Sequence, residues 1–266
     1  MGARGGGADW FSPGLQKELP RRIILRWGVM LMLLAAPAAA SEPALLEADA
    51  RHAAGGLEDL EAALDLYARA RQAAPGDYAT LWKSARAHRD YANRAKQETL
   101  PDWKAICKTQ GKVAMQLAEQ AVALAPERVE GHYYYGLSVG IYSDGVSILT
   151  ALSEGLKDKT QTSFEKAYAL DKHYNRAGPI LSLGRFWTVL PWPLHDRPKA
   201  LKYFREYEQT GFLDTYAEAQ VYFGELLIKM GGKANKQEAR RWLERAAQAP
   251  ERFYAEWAER LLANLG

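Results

Sequence analysis

The chain has 266 residues, 48% hydrophobic and 11% aromatic, which is enough to bury a substantial core in one or two domains. A formal charge of only +3 argues against a protein held to nucleic acid by counterion release, and the single cysteine, Cys107, excludes an intrachain disulfide. His52, His88, His132, His173 and His195 are scattered, with no HxxxH or CxxC spacing, so no metal site and no cofactor is expected.

At the N-terminus, Arg21, Arg22 and Arg26 precede the apolar run WGVMLMLLAA, and Ala38-Ala39-Ala40 offers an A-x-A cleavage site before Ser41. Residues 1–40 therefore read as a cleaved secretory signal. The segment RRIILR fits either ordinary secretion or twin-arginine export. The apolar run is about half the ~20 residues that a spanning helix needs, so no membrane span is expected after cleavage. No cysteine stands at the cleavage site, which points to an exported, periplasmic protein without a lipid anchor. Residues 1–40 hold five Lys/Arg and two Asp/Glu; the remainder, 41–266, carries 30 of each and is formally neutral.

Residues 41–266 are dominated by good helix formers, with apolar residues returning every three or four positions, and predict a single all-α domain. One spacing recurs within it: a small residue, an aromatic or small residue four later, another small residue three later, then a proline or turn. It occurs as Ala63, Tyr67, Ala70, Pro75; as Ala114, Ala118, Ala121, Pro126; and as Thr160, Phe164, Ala167, Lys172. Looser copies are Ala200, Phe204, Tyr207 and Ala239, Leu243, Ala246 with Pro250. Offsets of four and three place each set on one helical stripe that a neighbouring helix can approach closely, and proline ends the helix.

This pattern resembles the second helix of a tetratricopeptide repeat. In such a repeat the first helix carries a large residue followed by a small one, and GHYYYGLSVGIYSDG (131–145) supplies Tyr135-Gly136 at that place. Leu183-Gly184 and Phe223-Gly224 repeat the pair, and Ser84-Ala85 is a weaker copy. Gly136 then seats the paired helix, Tyr135 fills the space between helices, Tyr133 points to the concave side, and Tyr134 is left without an assigned role. From Ala85, Gly136, Gly184 and Gly224 to the next stripe the gaps are 29, 24, 16 and 15 residues, against a usual spacing of about twelve. The helix pairs are expected to turn over at Pro101, Gly145, Pro191 with Pro193, and Gly231-Gly232. The resemblance implies a right-handed superhelix of antiparallel helix pairs, irregular in length. Phe253, Trp257 and Leu261, four apart after Pro250, predict a C-terminal capping helix.

Between about residues 130 and 210 the Ala169–Asp171 ending, Tyr174, a Gly178-Pro179 turn, Leu183-Gly184-Arg185, Pro191, Ala200 and Tyr203-Phe204 are similar to the T component associated with tripartite ATP-independent periplasmic (TRAP) transporters. That resemblance implies a periplasmic partner of a solute-binding protein, with a homo-oligomer such as a trimer among its options and a pore or groove for ligand. Repeat geometry, in which first helices line the concave face, nominates Trp82, Arg86, Arg89, Tyr133, Leu137, Arg185 and Glu225 for partner or ligand binding. The three arginines suit a carboxylate on a ligand, partner tail or extended peptide, and the two aromatics offer flat apolar contact. His132 reads as a structural, hydrogen-bonded histidine. The segment LPWPLHDRP (190–198) reads as a rigid turn before a helix opened by Pro198, with a polyproline docking loop as the alternative. His195-Asp196 lacks any supporting catalytic motif, so no enzyme is expected; a general envelope scaffold is the alternative to a transporter accessory.

Overall fold

The computed structural model describes residues 38–265. The expected leader, residues 1–40, lies almost wholly outside them. The order of elements is α1 (Ala38–Ala54), α2 (Leu57–Ala73), α3 (Tyr78–Gln97), α4 (Trp103–Leu124), α5 (Val129–Val146), α6 (Ile148–Ser153), α7 (Leu156–Asp171), α8 (Tyr174–Val189), α9 (Arg197–Glu208), a 3-10 turn (Phe212–Asp214), α10 (Ala217–Met230), α11 (Lys233–Ala246) and α12 (Arg252–Ala263). The described residues are thus all helical and form one compact unit. Among them no helix is long and apolar enough to cross a membrane.

The helices pack as five pairs: α1 with α2, α3 with α4, α5 with α7, α8 with α9, and α10 with α11, while α12 packs on α11 and α10. This is the expected stack of antiparallel helix pairs. Every member of the five recurring stripes is buried, from Ala63, Tyr67 and Ala70 in α2 to Ala239, Leu243 and Ala246 in α11. Tyr67 centres a small separate core with Ala48, Ala63 and Ala87, whereas the later units share one large core beside a small cluster of Ala92, Cys107 and Ile141. Asp77 and Asp196 cap α3 and α9 by accepting from the backbone N–H groups of Thr80 (2.7 Å) and Lys199 (2.9 Å). His132 is a structural residue, its Nε2 2.8 Å from the Pro126 carbonyl.

The large-small pairs set how each first helix meets its second. A methyl added at Gly136 would overlap the Phe164 ring; one at Gly184 would stand 2.9 Å from Phe204, and one at Gly224 2.7 Å from Leu243. In the last three pairs the middle residue of the second-helix stripe therefore lies on the glycine of its own first helix. All three consecutive tyrosines are buried, and Tyr134 stacks on Trp82 with ring centroids 5.7 Å apart and an interplanar angle of 9°.

Three expected details move. Gly145 is not a turn: it sits in the last turn of α5, where a Cβ would stand 2.6 Å from the Lys104 carbonyl of α4, and the chain turns at Ser147 before the one-and-a-half-turn insertion α6. The turn expected at Gly178-Pro179 lies just before it, because Asn175, Arg176 and Ala177 adopt φ of 48°, 59° and 56°, and regular helix resumes at Gly178. In α12 the deepest residues are Tyr254 and Ala258, with Phe253, Trp257 and Leu261 half-buried beside them. The 190–198 segment forms a turn, with the Leu194 N–H donating to the Pro191 carbonyl at 2.7 Å, and leaves Trp192 83% exposed.

Helix–helix approach at glycine should be measurable by chemical denaturation. Gly145→Ala meets backbone, which cannot move aside, and should cost more than Gly136→Ala, which meets a ring; both losses should fall in the range of about 1–3 kcal/mol. Gly140→Ala, exposed on α5 with nothing within 4 Å, should instead stabilise by about 0.5–1 kcal/mol.

Candidate functional site

The first helices of the later units surround a cavity of about 650 Å³ on the concave side. Its apolar wall comes from Leu137 of α5, Ile148 and Leu152 of α6, Leu181 and Phe186 of α8, and Leu190 just after it. Its polar wall comes from α3, α10, the C-terminal end of α5, the start of α7 and the strained start of α8, with Trp257 of α12 beside it. A second, wider gap of about 1260 Å³ opens between α3 and α12, and Arg89, Asp90, Asn93, Tyr216 and Glu218 border both spaces. The C-terminal helix meets the second unit beside it: Gln97 Nε2 donates to the Tyr254 hydroxyl at 3.2 Å, and Lys96 Nζ lies 5.8 Å from the Phe253 ring centroid.

Five of the seven residues nominated by repeat geometry, Arg89, Tyr133, Leu137, Arg185 and Glu225, line this cavity. Arg185 donates to Glu225 at 2.6 Å and lies over Tyr222 and Trp257, 4.3 and 5.5 Å from their ring centroids. Glu225 also holds Lys229 at 2.7 Å. Burial alone would raise the Glu225 carboxyl, but Arg185 and Lys229 outweigh it and hold the group below its ordinary range. Arg89 donates to Asp90 at 2.8 Å, and Asp90 in turn holds His52 of α1 at 2.8 Å. Burial would lower the Arg89 guanidinium, yet the Asp90 and Glu218 carboxylates beside it raise it well above its usual value. Tyr133 packs edge-on against Tyr134 and Tyr174, and burial pushes its phenol up to about 12. Arg89 and Arg185 each already hold a carboxylate of the chain, so neither guanidinium presents the open fork expected from the repeat pattern.

Trp82 and Arg86 lie outside the cavity lining. Trp82 is sandwiched by Tyr134 and by Arg86, whose guanidinium carbon is 5.2 Å from the indole centroid. Arg86 joins a polar knot between the first three helices: Asp49 accepts from Tyr67 (2.6 Å), Lys83 (2.5 Å) and, at 3.4 Å, Arg86. Burial would raise the Asp49 carboxyl, and the hydrogen bonds from Lys83 and Tyr67 outweigh it, leaving it lowered.

The cavity also draws on residues that repeat geometry did not nominate. Glu218 accepts from the Tyr216 and Tyr222 hydroxyls, the latter at 2.7 Å. Glu218, Tyr222 and Glu225 follow the same offsets of four and three as the recurring stripes, which is the signal that would have found them. Arg176, over the Tyr216 ring at 5.7 Å, has no such signal, because its direction depends on a left-handed turn that side-chain periodicity does not encode. Each non-glycine residue in that region costs about 1–2 kcal/mol. Around the turn, Ala177 is fully buried and its N–H donates to the His173 carbonyl at 3.1 Å, and Gly178 lies against the Tyr133 hydroxyl.

A family model described as regulator of microtubule dynamics protein 1-3 matches residues 44–187, more than half of the chain and the part that contains α3, α5 and nearly all of α8. The chain belongs to this family. A thermophilic TPR protein of Thermus thermophilus, known from its crystal structure, matches with a TM-score of 0.59 at 20% identity, over 84% of this chain and 99% of its own; that likeness shows the fold. The tetratricopeptide-like architecture inferred from the stripes is thereby supported from outside the chain. No curated protein matches significantly.

In this regulator of microtubule dynamics family member, the Asp49 and Asp90 knots tie α1 to α3 at successive turns of the two helices. Burial would raise Asp90, and His52 and Arg89 outweigh it, so both carboxyls lie below their ordinary 3.8. A carboxyl depressed in the folded state contributes stability that is complete above its unfolded value and is lost as pH falls through the folded one. The protein should therefore lose stability below pH about 4. Asp49→Asn should cost about 1–2 kcal/mol at neutral pH and show a shallower further loss on acidification than the parent, checked by urea melts at neutral and acid pH.

Proposed function

We propose that the protein is a non-enzymatic, exported binding protein: a tetratricopeptide-type scaffold that serves a TRAP-type solute transporter through contact with its solute-binding protein. The observation that carries this reading is the concave cavity of about 650 Å³, walled on one side by leucine, isoleucine and phenylalanine and on the other by charged and phenolic groups. Pockets of this size and mixed lining suit an extended segment or a small amphipathic body. Concave faces built from first helices are where stacked repeats hold partners. Five of the six basic groups facing the cavity are each held by a carboxylate of the chain, and these ion pairs position side chains instead of setting up a nucleophile with its base. The arginine run, apolar stretch and A-x-A site before Ser41 support export. The family's description speaks of microtubule dynamics; the leader, not that description, is what supports an envelope location here, and the cavity is what supports binding.

The test is capture from envelope extract with the protein and its Leu137→Trp variant, which places an indole in the cavity while circular dichroism confirms unchanged helix content. Recovery of a solute-binding protein, reduced about tenfold (~1.4 kcal/mol) by the variant, is the expected result. The same loss for unrelated envelope proteins would shift the assignment to a general scaffold. Equal recovery by both proteins would remove the cavity from the binding surface.

A further inference from the structure

Six basic side chains line the cavity against four acidic ones, so its lining favours an anion. Five of the six hold a carboxylate of the chain: Arg89 on Asp90, Lys96 on Asp144, Lys157 on Asp158, and Arg185 with Lys229 on Glu225. Among the ion pairs of the described residues, Arg176 has no carboxylate. It lies over the face of Tyr216, which takes up none of its N–H donors. Its side chain is exposed to the cavity from the middle of three consecutive left-handed residues, at φ 59°. Such backbone is retained only where the surroundings over-determine it, and it clusters at ligand sites. A guanidinium supplies a planar fork suited to a carboxylate, and the neighbouring Leu181 and Phe186 supply apolar surface for whatever carries that group.

We propose that Arg176 is the anion-receiving residue of the cavity, and that its ligand is an apolar body bearing one carboxylate or equivalent anion, either the chain terminus of a partner or a free acid. This rests on the cavity reading above. It shifts the anion-binding role from Arg86, Arg89 and Arg185 to a residue that side-chain periodicity does not point to.

Two fluorescent probes of similar ring skeleton separate the claims: anilinonaphthalene sulfonate, which is anionic, and N-phenylnaphthylamine, which is neutral. With the full chain, both should bind saturably and both should weaken in Leu137→Trp. Arg176→Gln should weaken the anionic probe about tenfold and leave the neutral one unchanged. Arg176→Gly, free of the steric cost at that φ, should melt no lower than the parent while losing the same affinity. Unchanged anionic binding in Arg176→Gln would overturn the proposal while the cavity reading stands. Failure of either probe to saturate, or indifference of both to Leu137→Trp, would remove the cavity itself. Displacement of the anionic probe by the tripeptide Leu-Leu-Phe as free acid but not as amide would identify a chain terminus, and displacement by decanoate alone a free acid. Equal displacement by acid and amide would count against any anion recognition.

Discussion

The architecture depends on one contact made three times over, the seating of a large second-helix side chain on a glycine of its own first helix: Phe164 on Gly136, Phe204 on Gly184 and Leu243 on Gly224. Interiors pack at crystal density, so the absence of a Cβ at those three places sets the distance between the paired helices. The burial of the flanking stripe residues follows from that distance, with Ala167, Ala200 and Ala239 fully inaccessible. Close pairing on one side of each first helix leaves its other side to the concave surface, where Tyr133, Arg185 and Glu225 emerge.

What lines the concave surface reflects this division. Residues in α3, α8 and α10 that do not face their second helix are free to be polar, and with His52 of α1 and Tyr216 just before α10 they have organised into three linked triads: His52 with Asp90 and Arg89, Tyr216 and Tyr222 with Glu218, and Arg185 and Lys229 with Glu225. Each carboxylate is shared by two donors, which satisfies buried polar atoms without a long-range charge excess. The apolar wall is different in origin. It includes α6, an insertion that ordinary repeats lack, so the larger spacing between α5 and α7 is part of what makes room for and covers the cavity.

Repeat spacing makes most of this fold legible. Offsets of four and three identify the second helices because a packed stripe has no other period, and a large-small pair identifies the first helices because close approach demands a missing or minimal side chain. Placement on the concave side is legible for Arg89, Tyr133, Leu137, Arg185 and Glu225 for the same reason. It fails for Trp82 and Arg86, which lie nearest the separate first-unit core, where Asp49 and Tyr67 draw the guanidinium inward and Tyr134 covers the indole. The internal partners of the arginines are beyond the reach of spacing, since ion pairs such as Arg185 with Glu225 join residues forty apart on different helices. Gly145 reads as a turn in sequence because glycine serves both for turns and for helix crossings, and composition alone does not separate the two.

Stacked repeats are ordinarily quasi-one-dimensional, each unit touching only its neighbours, so that stability is a sum along the stack and the ends open independently. The bond from Gln97 to Tyr254 joins residues 157 apart and brings the cap back to the second unit. It introduces a contact whose loop-closure entropy must be overcome before it contributes, and it links the units from the second to the cap in a way that a linear stack does not. Fraying of α12 and loosening of α3 thus become one event at the edge of the wide gap, and the molecule acquires a cooperativity that linear nearest-neighbour stacking does not supply.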